Sequence, residues 1–460
     1  MVLKYQSAST TMQSSVTQYG ITWTFDKAYP VGQFVNGDYF VVGSEVKVIG
    51  FSPASEIVSD TYRNGSMVNP ENYYQGFDSR PTGGTTGPEY SHALNVAYGV
   101  TSEAPLTLTP NDSLVSSISK ATLGTWNSYI HRYAVLTVLA TTPEYEAFRP
   151  PFVNVDKTRP YSNASYTWSD VKTELLQNLT VVGTRPTWAS AEQRILQPYL
   201  WYQSFYGGGR GVAWGDSDPD VQAVADYGRE IAGHIGTMAL MINSDAPIAD
   251  KKLTVAGLIQ RGIDDWGIYR CAVVENERNF PWHPDGNIYD GHKLPILLAG
   301  VLLDDSEMKA VGSISYMFHE DAQVWTVTQD DVGRTLSAGK TEYSQSHVGM
   351  PEWGVKHATQ PAEDNSSWDQ SYRAGHISYH GIMLAPLIMG LKTLYNHDVA
   401  FDYMHRYQHI AAGEADPFGY EVTNETSGNR GDWDRWWAGS GTWSTAMYDE
   451  YWDDYYTMPV

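Results

Sequence analysis

Cysteine is nearly absent. Cys271 stands alone in 460 residues, so an intrachain disulfide and a cysteine-based zinc site are both excluded. Long apolar runs are missing too: no segment approaches the ~18 consecutive apolar residues of a membrane span. The opening MVLKYQSASTTMQSS lacks the apolar core of a secretory signal. Basic residues are scarce, with 30 Lys and Arg against 53 Asp and Glu, for a formal charge of −23. That balance argues against a general nucleic-acid or anionic-membrane binder, since both require broad positive surface, and the lack of an apolar span predicts no membrane insertion. Nucleophile signatures are missing as well. There is no Gly-x-Ser-x-Gly elbow, and no Gly-Lys-Ser/Thr follows the glycine-rich FYGGGRGVAWGDSDPD at 205–220. Asp216, Asp218 and Asp220 imitate the start of a calcium loop, but Val221 and Tyr227 occupy the positions that need Gly and Glu. A solvated loop ending in a helix cap is the reading there.

What the chain does hold is apolar and aromatic mass. A hydrophobic share of 42% suffices for a large core, and 13% of residues are aromatic. Tyr and Trp stack on sugar faces while keeping a polar handle, which suits a carbohydrate protein; large cores consume aromatics as well. From residue 21 to about 140 the text reads as strands. ITWTFDKAYPVGQFVNGDYFVVGSEVKVIGF alternates apolar and polar residues around Gly and Asn-Gly turns, and YAVLTVLATTP (133–143) closes the series. FRPPFVNVDKTRPYSNAS is a Pro-rich connector, which places a domain boundary near residue 155: a β-rich domain over 1–155 and a helical domain over 156–460.

Beyond the connector the period changes to that of helices. DVQAVADYGREIAGHIGTMALMI (220–242), KKLTVAGLIQRGIDDWGIY, KLPILLAGVLL and SYRAGHISYHGIMLAPLIMGLKTLY each repeat apolar residues at three- and four-residue spacing. HDVAFDYMHRYQHIAA follows the last almost at once, which predicts an antiparallel helical pair. Successive helical hairpins after a β-rich domain predict a mainly α fold, an (α/α) toroid with loops gathered at one mouth. Three polar segments fall at the ends of those helices: PWHPDGNIYDGHKLPILLAG (281–300), MFHEDAQVWTVTQDDVGR (317–334), and TEYSQSHVGMPEWGVKH (341–357) with SSWDQSYRAGHISYH (366–380). His376 and His380 stand four apart on one helix face, as zinc ligands do. The HExxH glutamate is missing, so histidines of a cleft or a core are the alternative, and no metal or cofactor is called for.

At DGNIYDGHKLPILLAG, FHEDAQVWTVTQDDVGR, GMPEWGVKH, SYR with LAPLIMG, and HDVAFDYMHRY, with VGQFVNGDYFVV and FRPPF echoing the N-terminal part, the chain resembles bacterial α/α-toroid proteins related to polysaccharide lyases. The likeness is greatest to the family-38 alginate and glucuronan lyases. That resemblance implies β-elimination on a uronic acid polymer, with an anionic polysaccharide as partner. Such chemistry needs a group that neutralises the sugar carboxylate, a base for the C5 proton and an acid for the leaving oxygen. In this sequence the resemblance points to Tyr343 as base and acid, with Tyr372 as its substitute. His292 assists proton removal or neutralises the carboxylate with Asn287 beside it, and Arg334 or Arg373 acts as a cationic clamp. Lys293 lines the cleft, Glu352 and Trp353 orient a neutraliser and stack a sugar, and His319 and Glu320 stand in a second tier. Each has a plainer reading too: Tyr372–Arg373 as a helix-start pair, Trp353 as core. A secreted, periplasmic or particle-borne location goes with this reading. Two other functions are kept: a glycoside hydrolase with a carboxylate pair such as Glu320 and Glu352, and a non-catalytic glycan-binding protein.

Overall fold

The alternation seen in the N-terminal text builds a curled sheet. In the computed structural model, residues 7–71, 74–80, 89–121, 130–155, 166–198, 228–275, 282, 289–315, 318–332, 343–353, 378–420 and 441–459 are described. Its main strands are β1 (Thr11–Gln18), β2 (Ile21–Gln33), β3 (Tyr39–Val42), β4 (Val46–Ser52), β5 (Ser66–Val68), β6 (Leu106–Leu108), β7 (Ser113–Ser119) and β8 (Ile130–Leu139). Seven follow one path, β6-β4-β2-β3-β8-β7-β5, and β1 pairs with β2 beside it. All pairings are antiparallel except β8 with β3. The Asn-Gly pair between β2 and β3 turns the chain as its sequence predicts, with Gly37 at a φ of 89° that glycine adopts without strain.

Because successive side chains of a strand point to opposite faces, one strand can serve two cores. On β8, Ala134, Leu136 and Val138 join Trp23, Phe25 and Val31 of β2 in one cluster. Tyr133 and Val135 turn the other way and enter a larger cluster built mostly from helices. On β7, Leu114 and Val115 divide in the same manner. The sheet is therefore buried on both faces at its centre.

The helices are α1 (Trp188–Ile195), α2 (Gly228–Ile242), α3 (Ile248–Tyr269), α4 (Lys293–Leu302), α5 (Ser306–Lys309), α6 (His319–Gln323), α7 (Tyr379–Ile388), α8 (Lys392–Tyr395), α9 (Asp398–Ala411) and α10 (Gly441–Tyr455). Two short strands, β9 (Val324–Thr326) and β10 (Pro351–Trp353), form an antiparallel ribbon directly after α6. Glycines let the longer helices touch backbone to backbone. A Cβ on Gly236 of α2 would meet Ile382 N at 2.6 Å, and one on Gly381 of α7 would meet the carbonyl carbon of Gly236 at 2.4 Å. Among the described residues no helix is long and apolar enough to cross a membrane.

This is a mixed fold, a curled half-barrel sheet with helices, at 39% helix and 24% strand. The expectation of a mainly α, (α/α) toroid is corrected on that ground. The helix-period segments do form helices, but their period records only that each has an apolar face, and the partners of that face decide the architecture. Gly267 of α3 packs on Pro151 and Val153, and Gly257 of the same helix packs on Ile195 of α1. The apolar sides of the helices are thus shared with the sheet and its connector. The segment read as one long helix before residue 395 is also broken, at Gly390 with a φ of 68°, into α7 and α8.

Arg149 of the FRPPF stretch ties the two layers together. It is buried, with Nε 2.6 Å from Asp38 Oδ2 beside β3 and Nη2 2.5 Å from Asp264 Oδ2 on α3. Gln260 of α3 completes the clamp by bonding both the N–H and the carbonyl of Arg149, each at 3.0 Å.

Candidate active centre

Five residues, Tyr289–Lys293, lead into α4 and gather a cluster of buried charged and polar side chains. Gly291 sits at a φ of 94°, and a Cβ there would approach Ala232 N of α2 to 2.9 Å, so the turn is pressed against α2 in a conformation that favours glycine. A helix start leaves N–H groups without intrahelical partners. Here one carboxylate oxygen takes three of them: Glu320 Oε1 accepts from the N–H groups of Gly291 at 2.8 Å, His292 at 2.9 Å and Lys293 at 3.2 Å. Glu320 comes from α6, so α4 is capped by a residue nearly thirty positions downstream. Its second oxygen, Oε2, is buried and makes no hydrogen bond among the described residues. Burial pushes the Glu320 carboxyl up to about 7, the charge of Asp290 adds to the rise, and the backbone bonds oppose it without cancelling it.

His292 is enclosed on the other side of the turn. Its ring stacks on Trp282 at 4.2 Å between centroids, 12° from parallel. Nδ1 lies 3.1 Å from Arg261 Nη2 and 3.3 Å from Asp265 Oδ2, and Arg261 Nε donates to Asp265 Oδ2 at 2.7 Å along α3. Burial lowers the His292 pKa to about 4; Asp265 opposes this and Arg261 reinforces it, so the imidazole is neutral at physiological pH. Asp290 holds two further groups: His319 Nε2 lies 3.2 Å from its Oδ1, and the Tyr379 hydroxyl donates to that oxygen at 2.9 Å. Burial and the carboxylates nearby raise the Tyr379 phenol, which keeps its proton. Lys293 Nζ pairs with Asp321 Oδ1 at 2.5 Å and lies 4.4 Å from the centre of the Tyr395 ring.

His292, Lys293, His319 and Glu320 are therefore brought together. Tyr343, bridged to Val332, and Glu352 of β10 form a second pair, in which the half-buried Tyr343 hydroxyl donates to Glu352 Oε2 at 3.1 Å and Trp325 packs edge-on to the phenol. His380 is a core histidine, stacked on Tyr448 at 4.2 Å with Nδ1 3.0 Å from Thr445 Oγ1, and joins α7 to α10. Asn287, Arg334, Tyr372, Arg373, His376 and the 205–220 loop lie outside the described residues, as does the side chain of Trp353. Arg261, Asp265, Trp282 and Tyr379 were not singled out from the sequence. The signal for the first two was present: an Arg and an Asp four apart on a helix whose other residues are mostly apolar.

No protein-family model, curated protein or solved structure matches the chain. The resemblance to family-38 lyases of the α/α-toroid type is corrected accordingly, since it rested on short islands of text, and the curled sheet and modest helix share give it no support.

Proposed function

We propose that the protein is an enzyme that cleaves the glycosidic bonds of an acidic polysaccharide by β-elimination beside a uronate, with the 289–293 turn as its acid–base centre. One observation carries the reading: a neutral imidazole and a carboxyl that keeps its proton to about 7 are held by the same turn. Elimination needs both at once. Both side chains are fully buried, so the reaction requires the turn to open to the sugar; a protonated Glu320 Oε2 then neutralises the sugar carboxylate by hydrogen bonding, which acidifies the C5 proton, and neutral His292 removes that proton. Tyr343, held by Glu352, is assigned the return of a proton to the leaving oxygen. The aromatic content supplies sugar platforms in support.

Hydrolysis is the second reading, favoured by the negative charge of Asp290 acting on the proton-bearing Glu320. A proton-bearing carboxyl close to a second acidic side chain is the equipment of a glycosidase. Incubating the protein with a panel of uronate polymers and neutral glycans separates the two. Ultraviolet absorbance of an unsaturated uronate together with new reducing ends supports elimination, and reducing ends alone support hydrolysis. Neither, on every polymer tried, overturns the proposal. On a cleaved polymer His292→Gln and Tyr343→Phe are each expected to lower kcat by about 100-fold or more with the far-ultraviolet circular dichroism unchanged.

A further inference from the structure

A second group of metal-type ligands lies away from the 289–293 turn, between α9 and the C-terminal helix α10. His405 and His409 stand four apart on α9, which places both rings on one face. Asp453 of α10 projects to them, with Oδ1 3.4 Å from His405 Nδ1 and 3.6 Å from His409 Nε2. One ligand atom from each of the three lies within 4.8 Å of the others. For bonds of roughly 2.0–2.1 Å to a tetrahedral zinc-class ion, ligand atoms stand about 3.3 Å apart, so the two His–Asp distances match edges of such a site.

We infer that His405, His409 and Asp453 form a binding site for a borderline divalent cation of the zinc class, coordinated through His405 Nδ1, His409 Nε2 and Asp453 Oδ1.

Three independent features support this beyond the clustering. First, the two nitrogens aimed at Asp453 are buried and make no hydrogen bond among the described residues. A buried imidazole nitrogen without a hydrogen bond is costly unless something else uses its lone pair. His405 is only 7% exposed, so water does not compensate it freely. Second, the far side of His409 is already set. Its Nδ1 lies 2.6 Å from Glu414 Oε2, so the proton sits on Nδ1 and the lone pair on Nε2 points at the site. A carboxylate behind a ligating histidine, fixing tautomer and ring orientation, is the usual outer partner of protein zinc. Third, the rings are held by packing: His405 stacks on Tyr456 at 4.3 Å, and the Tyr456 hydroxyl is anchored on Asp402 at 2.7 Å.

The donor set selects the ion. Two imidazoles and one carboxylate suit Zn²⁺, Co²⁺ or Ni²⁺, whereas Ca²⁺ and Mg²⁺ favour all-oxygen cages. Asp453 is 57% exposed, so the fourth position opens toward solvent, for water or an exogenous ligand. An ion there would staple α10 to α9 and so fasten the end of the chain to the helical core.

The test uses the full chain, stripped with a chelator and titrated with Co²⁺ and Zn²⁺. The wild type is expected to bind one equivalent, with the visible ligand-field bands of four-coordinate Co²⁺, and to gain a higher Tm. Asp453→Ala changes an exposed side chain and is expected to abolish those bands with an unaltered far-ultraviolet spectrum. Glu414→Gln should bind about 10- to 100-fold more weakly. The inference is overturned if the wild type takes up neither ion, or if Asp453→Ala and His409→Ala bind as the wild type does, which would put the ion at other residues.

Discussion

Glu320 and His292 meet at one turn, where Glu320 accepts the backbone N–H of His292, and their pKa values shift in opposite directions, so the consequences for stability and for rate can be read separately. The folded Glu320 carboxyl keeps its proton to about 7 from an ordinary value of 4.5. Its contribution to stability is therefore complete below 4.5 and is lost as pH rises to 7. Folded His292 takes a proton only near 4 against an ordinary 6.5, so its contribution is lost as pH falls from 6.5 to 4. The two together place maximal stability in mildly acidic solution. Glu320→Gln keeps an oxygen for the α4 N–H groups and removes the titration. Its urea midpoint should stop declining between about pH 5 and 8, a gain on the order of 3 kcal/mol at the alkaline end. A slope equal to that of the wild type would show that the carboxyl is already charged. For the proposed elimination the same pair predicts a bell-shaped pH profile of kcat/KM, with limbs near 4 and 7. Part of this centre was legible beforehand. His292 and Lys293 stand where a polar turn meets the apolar α4, and that contrast marks a turn held over a core, while His319 and Glu320 stood out only as polar residues of HEDAQ. Arg261 and Asp265 were legible only as a pair four apart, because a helix period reports which face is apolar and is silent on whether a charge pair is sunk within it.

Among the elements, the agreement is close for single segments and poor for their assembly. The text predicting a helix from 251 to 269 becomes α3 at Ile248–Tyr269, and KLPILLAGVLL becomes α4. β2, β3, β4 and β8 fall where alternation and Asn-Gly turns put them. Closure of the helices into a ring was misjudged because glycine contacts such as Gly267 on Pro151 turn α3 toward the sheet connector, and no local pattern announces a contact over a hundred residues away. The crossing of α2 and α7 makes this testable. Gly236 and Gly381 bring two backbones closer than any side chain permits. Gly381→Ala is expected to cost about 1–3 kcal/mol or more by overpacking, despite alanine's better helix propensity. Equilibrium denaturation of the variant checks it, and an unchanged or raised midpoint would mean that the helices can part without loss.

Taken whole, the molecule shares one apolar cluster between layers: Val35, Met67, Val115 and Val135 of the strand region pack with Ile235, Ile263, Leu297 and Met383 of the helices. A core continuous across both layers predicts one cooperative unfolding transition, with tryptophan fluorescence and far-ultraviolet circular dichroism coinciding. Arg149 adds a polar clamp at that same junction, and its logic differs from that of the core. Removing the guanidinium leaves Asp38 and Asp264 as buried carboxylates without their shared cation, each hydrogen-bonded to it in the native chain. Arg149→Met should therefore cost about 3–5 kcal/mol, mostly the penalty of the stranded charges and much less the worth of the ion pair itself. The triple variant Arg149→Met, Asp38→Asn, Asp264→Asn separates the two contributions. If stranded charge dominates, the triple variant unfolds at a higher urea concentration than Arg149→Met alone. If it is equally or less stable, the clamp contributes through the side-chain hydrogen bonds of Arg149 to Asp38, Asp264 and the Pro150 carbonyl more than through stranded charge.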